Sequence, residues 1–182
     1  MIISDEFKFV FVHIPKTGGT SIKKALHKYY NSDQISFDGE KVTDINGYRP
    51  HVSISKKELG EFKGYFKFSF VRNPYFRIQS CYVDKLSLDS YGFDKNLIEK
   101  YSGLTRGMPF AEFLKIIKTM PLEDMDEHFR PQYSFFSKES IDFIGKLENI
   151  QEDWKAIETR LKLEHSPLPE FNKTKKINIY TA

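Results

Sequence analysis

A pair of adjacent glycines between an apolar run and an amphipathic segment constrains this chain more than any other feature. Residues 7–14 (FKFVFVHI) are a short run of β-branched and aromatic side chains, as expected of a strand buried on both faces of a parallel sheet. Gly18 and Gly19 follow it, and residues 21–30 then repeat apolar side chains at helical spacing. The pattern predicts a strand, a glycine turn (residues 15–20) and a helix.

The glycine turn has the composition of an anion-binding site. Two glycines let the backbone turn tightly and point its N–H groups into one concavity, and the helix adds its positive N-terminal partial charge. One ammonium and three hydroxyl groups crowd the same turn, from Lys16, Thr17, Thr20 and Ser21. ATP-binding P-loops place their lysine after the last glycine, whereas Lys16 precedes both glycines. This order weakens an ATPase interpretation, and the alternative to an anion site is a simple tight turn.

A second strand is predicted over residues 65–72, with a helix over residues 75–86. Arg72 ends the strand, and the carboxyl edge of a parallel sheet is where α/β proteins bind ligands. We therefore expect Arg72 beside the glycine turn and the Ser80 hydroxyl on the same side, with Arg77 as a further cation on the helix. The alternative is a structural ion pair for Arg72 and a solvated Ser80.

The remaining pattern alternates strands with helices. We expect a loop with one short hairpin over residues 31–50, a long loop or lid over residues 87–108, and a helix over residues 109–120. A third strand over residues 141–147 and a helix over residues 149–163 follow. The chain is therefore predicted to be α/β: a single-domain, three-layer, P-loop-like fold over residues 1–182, with a central parallel sheet flanked by helices.

Composition excludes several classes of protein. With 40% hydrophobic and 29% charged residues the 182-residue chain is not disordered, and a net charge of +3 does not point to nucleic acid. Cys81 is the only cysteine, which rules out a disulfide scaffold. The first residues lack a basic n-region and no run is long enough to span a bilayer, so we expect a cytoplasmic protein without a membrane span.

Together, HIPKTGGTS (residues 13–21) and FVRNPYFRIQS (residues 70–80) resemble the nucleotide-binding signatures of a known family. This family is the sulfotransferases that use 3′-phosphoadenosine 5′-phosphosulfate (PAPS), especially carbohydrate sulfotransferases of the heparan sulfate 2-O-sulfotransferase type. The resemblance implies that Arg72 and Ser80 hold the 3′-phosphate. It implies that the 5′-phosphosulfate is held by Lys16, Thr17, Gly18, Gly19, Thr20 and Ser21. The missing membrane anchor and paired cysteines indicate a bacterial-type, cytoplasmic relative.

Two further stretches resemble the same family. RPHVS (residues 49–53) resembles its His-Val-Ser stretch, which implies that His51 is the catalytic base. DEHFRPQ (residues 126–132) resembles its His-aromatic-x-Pro-Gln stretch, from which we assign acceptor binding to His128, Arg130 and Gln132. The alternatives are an exposed loop position for His51 and a structural ion pair for His128 in its acidic surroundings.

The expected reaction is in-line transfer of a sulfuryl group from PAPS to an acceptor hydroxyl of a glycan or glycolipid. Lys16 would stabilise the transferred group and the departing nucleotide, and the neutral imidazole of His51 would accept the hydroxyl proton. This chemistry needs no metal. Two alternatives stay open: a nucleotide or small-molecule kinase, marked by dependence on Mg²⁺ and ATP, and a non-catalytic module that binds nucleotide or glycan without turnover.

Overall fold

A four-stranded sheet and a cluster of helices make up the part of the chain that the structure describes. The computed structural model describes residues 1–29, 36–38, 41–43, 59–88, 90 and 95–169. These residues fall into two compact units. The first unit takes in the described residues up to Arg72 and those from Gln132 onward, and the second takes in those between Asn73 and Pro131. A single domain over residues 1–182 stays a prediction.

Strands and helices of the described residues alternate along the chain. In order they are β1 (Ile2–Ser4), β2 (Phe9–Val12), α1 (Gly19–Leu26), β3 (Ser36–Asp38), β4 (Lys41–Thr43), β5 (Phe66–Val71), α2 (Pro74–Lys85), α3 (Lys95–Lys100), α4 (Phe110–Lys118), β6 (Phe143–Lys146) and α5 (Ile150–Leu161). Single 3-10 turns lie at His27–Tyr29, Gln132–Ser134, Lys138–Ser140 and Leu147–Asn149. None of these helices is both long enough and apolar enough to cross a bilayer.

The sheet of the first unit has the order β1-β2-β5-β6. β2 runs parallel to β5, with Phe9 opposite Phe66, and β5 runs parallel to β6, with Phe68 opposite Phe143. The Ser69 hydroxyl donates to the Val12 carbonyl at 2.7 Å and so ties β5 to the end of β2. These three strands confirm the predicted α/β class and its parallel pairing.

The edge strand β1 differs from the prediction because it pairs antiparallel with β2. Three residues are too few to show a periodic pattern, so the sequence carried no signal for it. The sheet is therefore mostly parallel, with one antiparallel edge. The P-loop-like, three-layer arrangement stays a prediction.

Alternating side chains of β2 enter two cores. Phe9 and Phe11 point into one core, and Val10 and Val12 point into the other, with exposed fractions of 2% or less for all four. The core around Phe9 also takes buried side chains from β5, α1 and α5, namely Phe68, Phe70, Ile22, Leu26, Trp154 and Ile157. A strand buried on both faces is what the apolar run predicted.

The predicted hairpin within residues 31–50 is present as β3 and β4, which pair antiparallel with Phe37 opposite Val42. The predicted helix over residues 21–30 is shorter than expected, since α1 ends at Leu26 and continues only as a 3-10 turn.

The second unit holds α2, α3 and α4 around its own core. Pro74 opens α2, and the Asn73 side chain accepts from the backbone N–H groups of Tyr75 and Phe76 as an N-cap. The buried side chains of this core are Cys81, Tyr82, Leu86, Leu97, Tyr101, Leu104, Met108, Phe113 and Phe129.

The prediction of a long loop over residues 87–108 was wrong for part of that range. α3 lies within it, and Leu97, Tyr101, Leu104 and Met108 are all at most 8% exposed. Leu97 lies in α3 and the other three follow that helix, and all four join the core of the second unit. Polar residues and glycines between them hid these core positions in the sequence.

Candidate functional site

The glycine turn connects β2 to α1 through two residues with left-handed backbone. Lys16 has φ 69° and Gly18, which precedes the first residue of α1, has φ 84°. The Thr17 hydroxyl donates to the Ile14 carbonyl at 2.8 Å, and the Thr17 side chain is fully buried. The Thr17 hydroxyl therefore donates its proton within the turn, and this hydrogen bond stabilises the turn.

Gly19 is required by a close approach of the His13 ring. A Cβ atom at this position would lie 2.0 Å from Nε2 of His13. At Gly18 a Cβ would lie 2.8 Å from Cδ1 of Leu147, in addition to its unfavourable φ. The two glycines are thus fixed by packing from the end of β2 and from the 3-10 turn before α5. Sequence reasoning did not find the part that His13 takes in the shape of this turn.

The start of α1 has the electrostatics of an anion site. The first N–H groups of a helix have no acceptor within the helix, and the first turn of α1 contains no acidic residue. No side chain among the described residues caps this end. Thr20 and Ser21 are the second and third residues of α1; Thr20 is half-buried and Ser21 is 7% exposed.

Arg72 follows β5 and contacts the glycine turn within the first unit. Its Nη1 lies 3.4 Å from the Lys16 carbonyl and donates to it. Burial lowers the pKa of Arg72, while the nearby Glu148 carboxylate acts in the opposite direction. The structure therefore brings together the two sequence motifs that were expected to meet at this edge of the sheet.

Gln132 holds the backbone of Arg72 on both sides. The Arg72 N–H donates to Oε1 of Gln132 at 2.9 Å, and Nε2 of Gln132 donates to the Arg72 carbonyl at 2.8 Å. This reciprocal pair fixes the chain just beyond β5, from which the guanidinium extends. The acceptor-binding role of Gln132 stays a prediction, and its amide is engaged here with Arg72.

Ser80 and Arg77 lie on α2 in the second unit, and both side chains are 4% exposed. The Arg77 guanidinium donates to the carbonyls of Arg130 at 2.8 Å and Glu127 at 3.0 Å. Burial lowers the pKa of Arg77 to about 10, so it is still charged at neutral pH. The predicted role of Ser80 in phosphate binding stays a prediction.

His128 and Arg130 lie in a short turn, residues 126–130, which we call the Asp126 turn. Nδ1 of His128 lies 2.7 Å from Oδ1 of Asp126, and both side chains are about four-fifths buried. Arg130 donates through Nε and Nη2 to the Met125 carbonyl, at 3.2 and 2.8 Å. The predicted catalytic base, His51, lies outside the described residues.

A cavity of about 440 Å³ opens beside Arg130 in the second unit. Its walls carry charges of both signs, from Lys100 and Arg130 on one hand and Glu123 and Asp124 on the other. Tyr101 adds an aromatic side chain to the wall. Such a wall offers many hydrogen-bonding groups to a polar ligand.

Comparison with known proteins places the chain in a family. A model of the sulfotransferase family matches residues 1–181. Carbohydrate sulfotransferase 14 of Danio rerio is 26% identical over 186 residues, covering 93% of this chain and 50% of the relative. Carbohydrate sulfotransferase 12 of Xenopus laevis is 25% identical over 207 residues, covering 90% and 49%. Carbohydrate sulfotransferase 14 of Homo sapiens is 25% identical over 170 residues, covering 84% and 44%.

The chain thus spans about half the length of the curated relatives it matches. No solved structure matches it significantly. The family model nonetheless covers nearly the whole sequence, including both motifs that meet at the carboxyl edge of the sheet, and the chain belongs to the sulfotransferase family.

Proposed function

We propose that this chain transfers a sulfuryl group from PAPS to a hydroxyl group of a carbohydrate. Family membership and the names of the three relatives, each a carbohydrate sulfotransferase, support this proposal. The observation that carries it is the contact of Arg72 with the Lys16 carbonyl, because this contact brings together, within the first unit, one residue from each of the two motifs expected to bind phosphate.

The first unit has groups suited to binding anions. The glycine turn offers backbone N–H groups at a helix start without acidic residues, and Lys16 adds a full positive charge. We assign the 5′-phosphosulfate to residues 16–21 and the 3′-phosphate to Arg72 and Ser80. The bidentate guanidinium of Arg72 suits a phosphate better than a point charge would.

Lys16 stabilises the negative charge that develops during sulfuryl transfer. PAPS supplies an activated sulfuryl group when it is bound. The S–O bond to the nucleotide phosphate breaks as an S–O bond to the acceptor oxygen forms, so negative charge accumulates on the phosphate oxygen that is left. The Lys16 ammonium stabilises that oxygen and the transferred group, and a cation fixed before the reaction costs no reorganisation during it.

His51 accepts the proton of the attacking hydroxyl. A neutral imidazole suits this task, because its ordinary pKa of about 6.5 lies near physiological pH. The products are a sulfated acceptor and adenosine 3′,5′-bisphosphate, and the proton on His51 passes to water. Acceptor binding is assigned to His128, Arg130 and Gln132, and the polar cavity beside Arg130 suits a ligand rich in hydroxyl groups.

The test is transfer of labelled sulfate from PAPS to a panel of neutral and anionic glycans. His51→Ala should abolish transfer and leave the affinity for adenosine 3′,5′-bisphosphate nearly unchanged, because the base does not hold the nucleotide. His165→Ala is the matched control, since His165 is exposed over 64% of its side chain and bonds Glu158. Transfer that survives His51→Ala would contradict the assigned base. Phosphate transfer from Mg²⁺·ATP, without sulfate transfer, would contradict the proposed function.

A further inference from the structure

One carboxylate oxygen closes the Asp126 turn around His128. Oδ1 of Asp126 accepts from the His128 backbone N–H at 2.9 Å and also lies 2.7 Å from Nδ1 of the same residue. The Asp126 carbonyl accepts from the N–H groups of Phe129 and Arg130, at 3.2 and 2.8 Å. Nδ1 of His128 is therefore held by the Asp126 carboxylate, which is itself hydrogen-bonded to the backbone of the turn.

The state of the Asp126 carboxyl determines which nitrogen of His128 carries the proton. Burial raises the pKa of Asp126, but the side-chain and backbone hydrogen bonds from His128 outweigh it and leave that pKa lowered. An ionised carboxylate only accepts hydrogen bonds. Nδ1 of a neutral His128 therefore carries the proton, and Nε2 keeps its lone pair as an acceptor.

The Arg77 guanidinium anchors the same turn from α2. It donates to the carbonyls of Glu127 and Arg130, the residues that flank His128 and Phe129. The Phe129 ring packs edge-on against Tyr101 and Phe113, with centroids 5.6 and 6.1 Å apart. The turn is therefore held by a buried charge on one helix and by the aromatic core of the second unit.

We propose that Asp126 and Arg77 are positioning residues that hold His128 with Nε2 as a hydrogen-bond acceptor for a hydroxyl group of the acceptor sugar. The identity of that ligand rests on the proposed function; the tautomer rests only on the hydrogen bonds of the turn. His128 is suited to the contact, because its side chain is 20% exposed and its Nδ1 is held by Asp126. A fixed ring orients the hydroxyl without reorganising when the sugar binds.

The tautomer can be measured in the free protein by long-range ¹H–¹⁵N correlation spectra of the histidine rings. In spectra whose ring shifts show a neutral imidazole, His128 should have the Nδ1–H form. Asp126→Asn should shift it toward the Nε2–H form, because the new amide can donate to Nδ1. Asp124→Asn removes an exposed carboxylate from the same stretch and should leave the tautomer of His128 unchanged. An Nε2–H form in the wild type would overturn the proposal.

Arg77→Lys tests the anchor, because it keeps a charge but cannot span both carbonyls. It should lower the population of the Nδ1–H form. The matched control is Tyr82→Phe, which removes another buried bond from α2 to a loop carbonyl, that of Met108 at 2.6 Å. An Arg77→Lys variant whose His128 signals match those of Tyr82→Phe would show that Arg77 only stabilises the fold.

Kinetics then separate acceptor binding from donor binding. Asp126→Asn and Arg77→Lys should each raise the KM for the acceptor about 10- to 100-fold, a range typical for loss of a positioning partner, with unchanged affinity for adenosine 3′,5′-bisphosphate. An unchanged acceptor KM in both variants would overturn the role in acceptor binding. A wild-type chain that transfers no sulfate would contradict the proposed function, whereas the tautomer result bears on Asp126 and Arg77 by itself.

Discussion

The glycine turn of the first unit and the Asp126 turn of the second are both short connections with fixed shapes, but they are fixed by different means. The glycine turn depends on its backbone: positive φ values at Lys16 and Gly18, and no Cβ at Gly19 where the His13 ring approaches. The Asp126 turn depends on side chains, since the carboxylate of Asp126 and the guanidinium of Arg77 bond its backbone.

The difference predicts how each turn responds to mutation. A turn made by backbone conformation should tolerate loss of a charge but not the addition of a methyl group. A turn made by side chains should be sensitive to the loss of one buried polar group, because its partners are left unsatisfied. The following variants test this contrast, beginning with the largest expected effect.

Lys16→Ala should lower kcat/KM for sulfate transfer about 10²- to 10³-fold, as expected for loss of one preorganised charge at the reacting group. The fold should persist, because lysine and alanine both carry a Cβ at the same positive φ. Lys8→Ala is the matched control, since Lys8 is exposed and also has a positive φ, of 51°. An equal loss of activity in both variants would show that Lys16 has no specific role.

Gly19→Ala should destabilise the protein by about 1–3 kcal/mol, the usual cost of forcing an extra methyl into a packed site, and should weaken binding of adenosine 3′,5′-bisphosphate. Thermal unfolding and calorimetry measure the two effects. Gly60→Ala is the control, because a Cβ there meets no heavy atom within 4 Å. Adding His13→Ala to Gly19→Ala should restore part of the stability. A Gly19→Ala protein as stable as Gly60→Ala would contradict the packing account.

Gln132→Leu should weaken binding of adenosine 3′,5′-bisphosphate by up to about 30-fold, because it removes both hydrogen bonds that hold the Arg72 backbone, each worth about 1 kcal/mol. Gln151 offers a closely matched control. It makes the same reciprocal pair with the backbone of Leu168, at 3.0 and 3.1 Å. Gln151→Leu should also lower the melting temperature but leave nucleotide affinity intact. Equal nucleotide affinities in the two variants would show that Gln132 does not support nucleotide binding through Arg72.

Acid titration of stability should show the smallest effect. The pKa of Asp126 is lowered in the folded state, so its stabilising contribution is full above the unfolded value of 3.8 and is lost as pH falls through the folded pKa. The melting temperatures of wild type and Asp126→Asn should therefore converge only as the pH falls below about 4. Asp124→Asn should show no such convergence, and a constant gap for Asp126→Asn would contradict the account.

The apolar run before the two glycines predicted the strand, the turn and the helix because all three depend on local pattern. A strand buried on both faces reads as a continuous apolar run, and a tight turn before a helix requires glycine. β1 and α3 were missed for different reasons. β1 is too short to show a period, and α3 (KNLIEK) has too few apolar residues among its polar ones to show a helical pattern.

The sequence predicted which residues form the candidate site better than it predicted the contacts between them. The pattern identified Lys16 and Arg72, and the rule for carboxyl edges of parallel sheets placed them together. It could not reveal that Gln132 bonds the Arg72 backbone, or that Arg77 holds the Asp126 turn, because these contacts join residues more than 45 positions apart. Such pairs leave no periodic trace in a single sequence.

The most direct test of the central claim is calorimetric titration with adenosine 3′,5′-bisphosphate and with ADP, repeated for Arg72→Ala. We predict that the wild type prefers the bisphosphate. Arg72→Ala should lose about 1.5–3 kcal/mol of its binding free energy, the worth of a charge-assisted hydrogen-bonded pair, while ADP binding stays unchanged. Equal binding of ADP and the bisphosphate, indifferent to Arg72, would contradict the assignment of the site to PAPS.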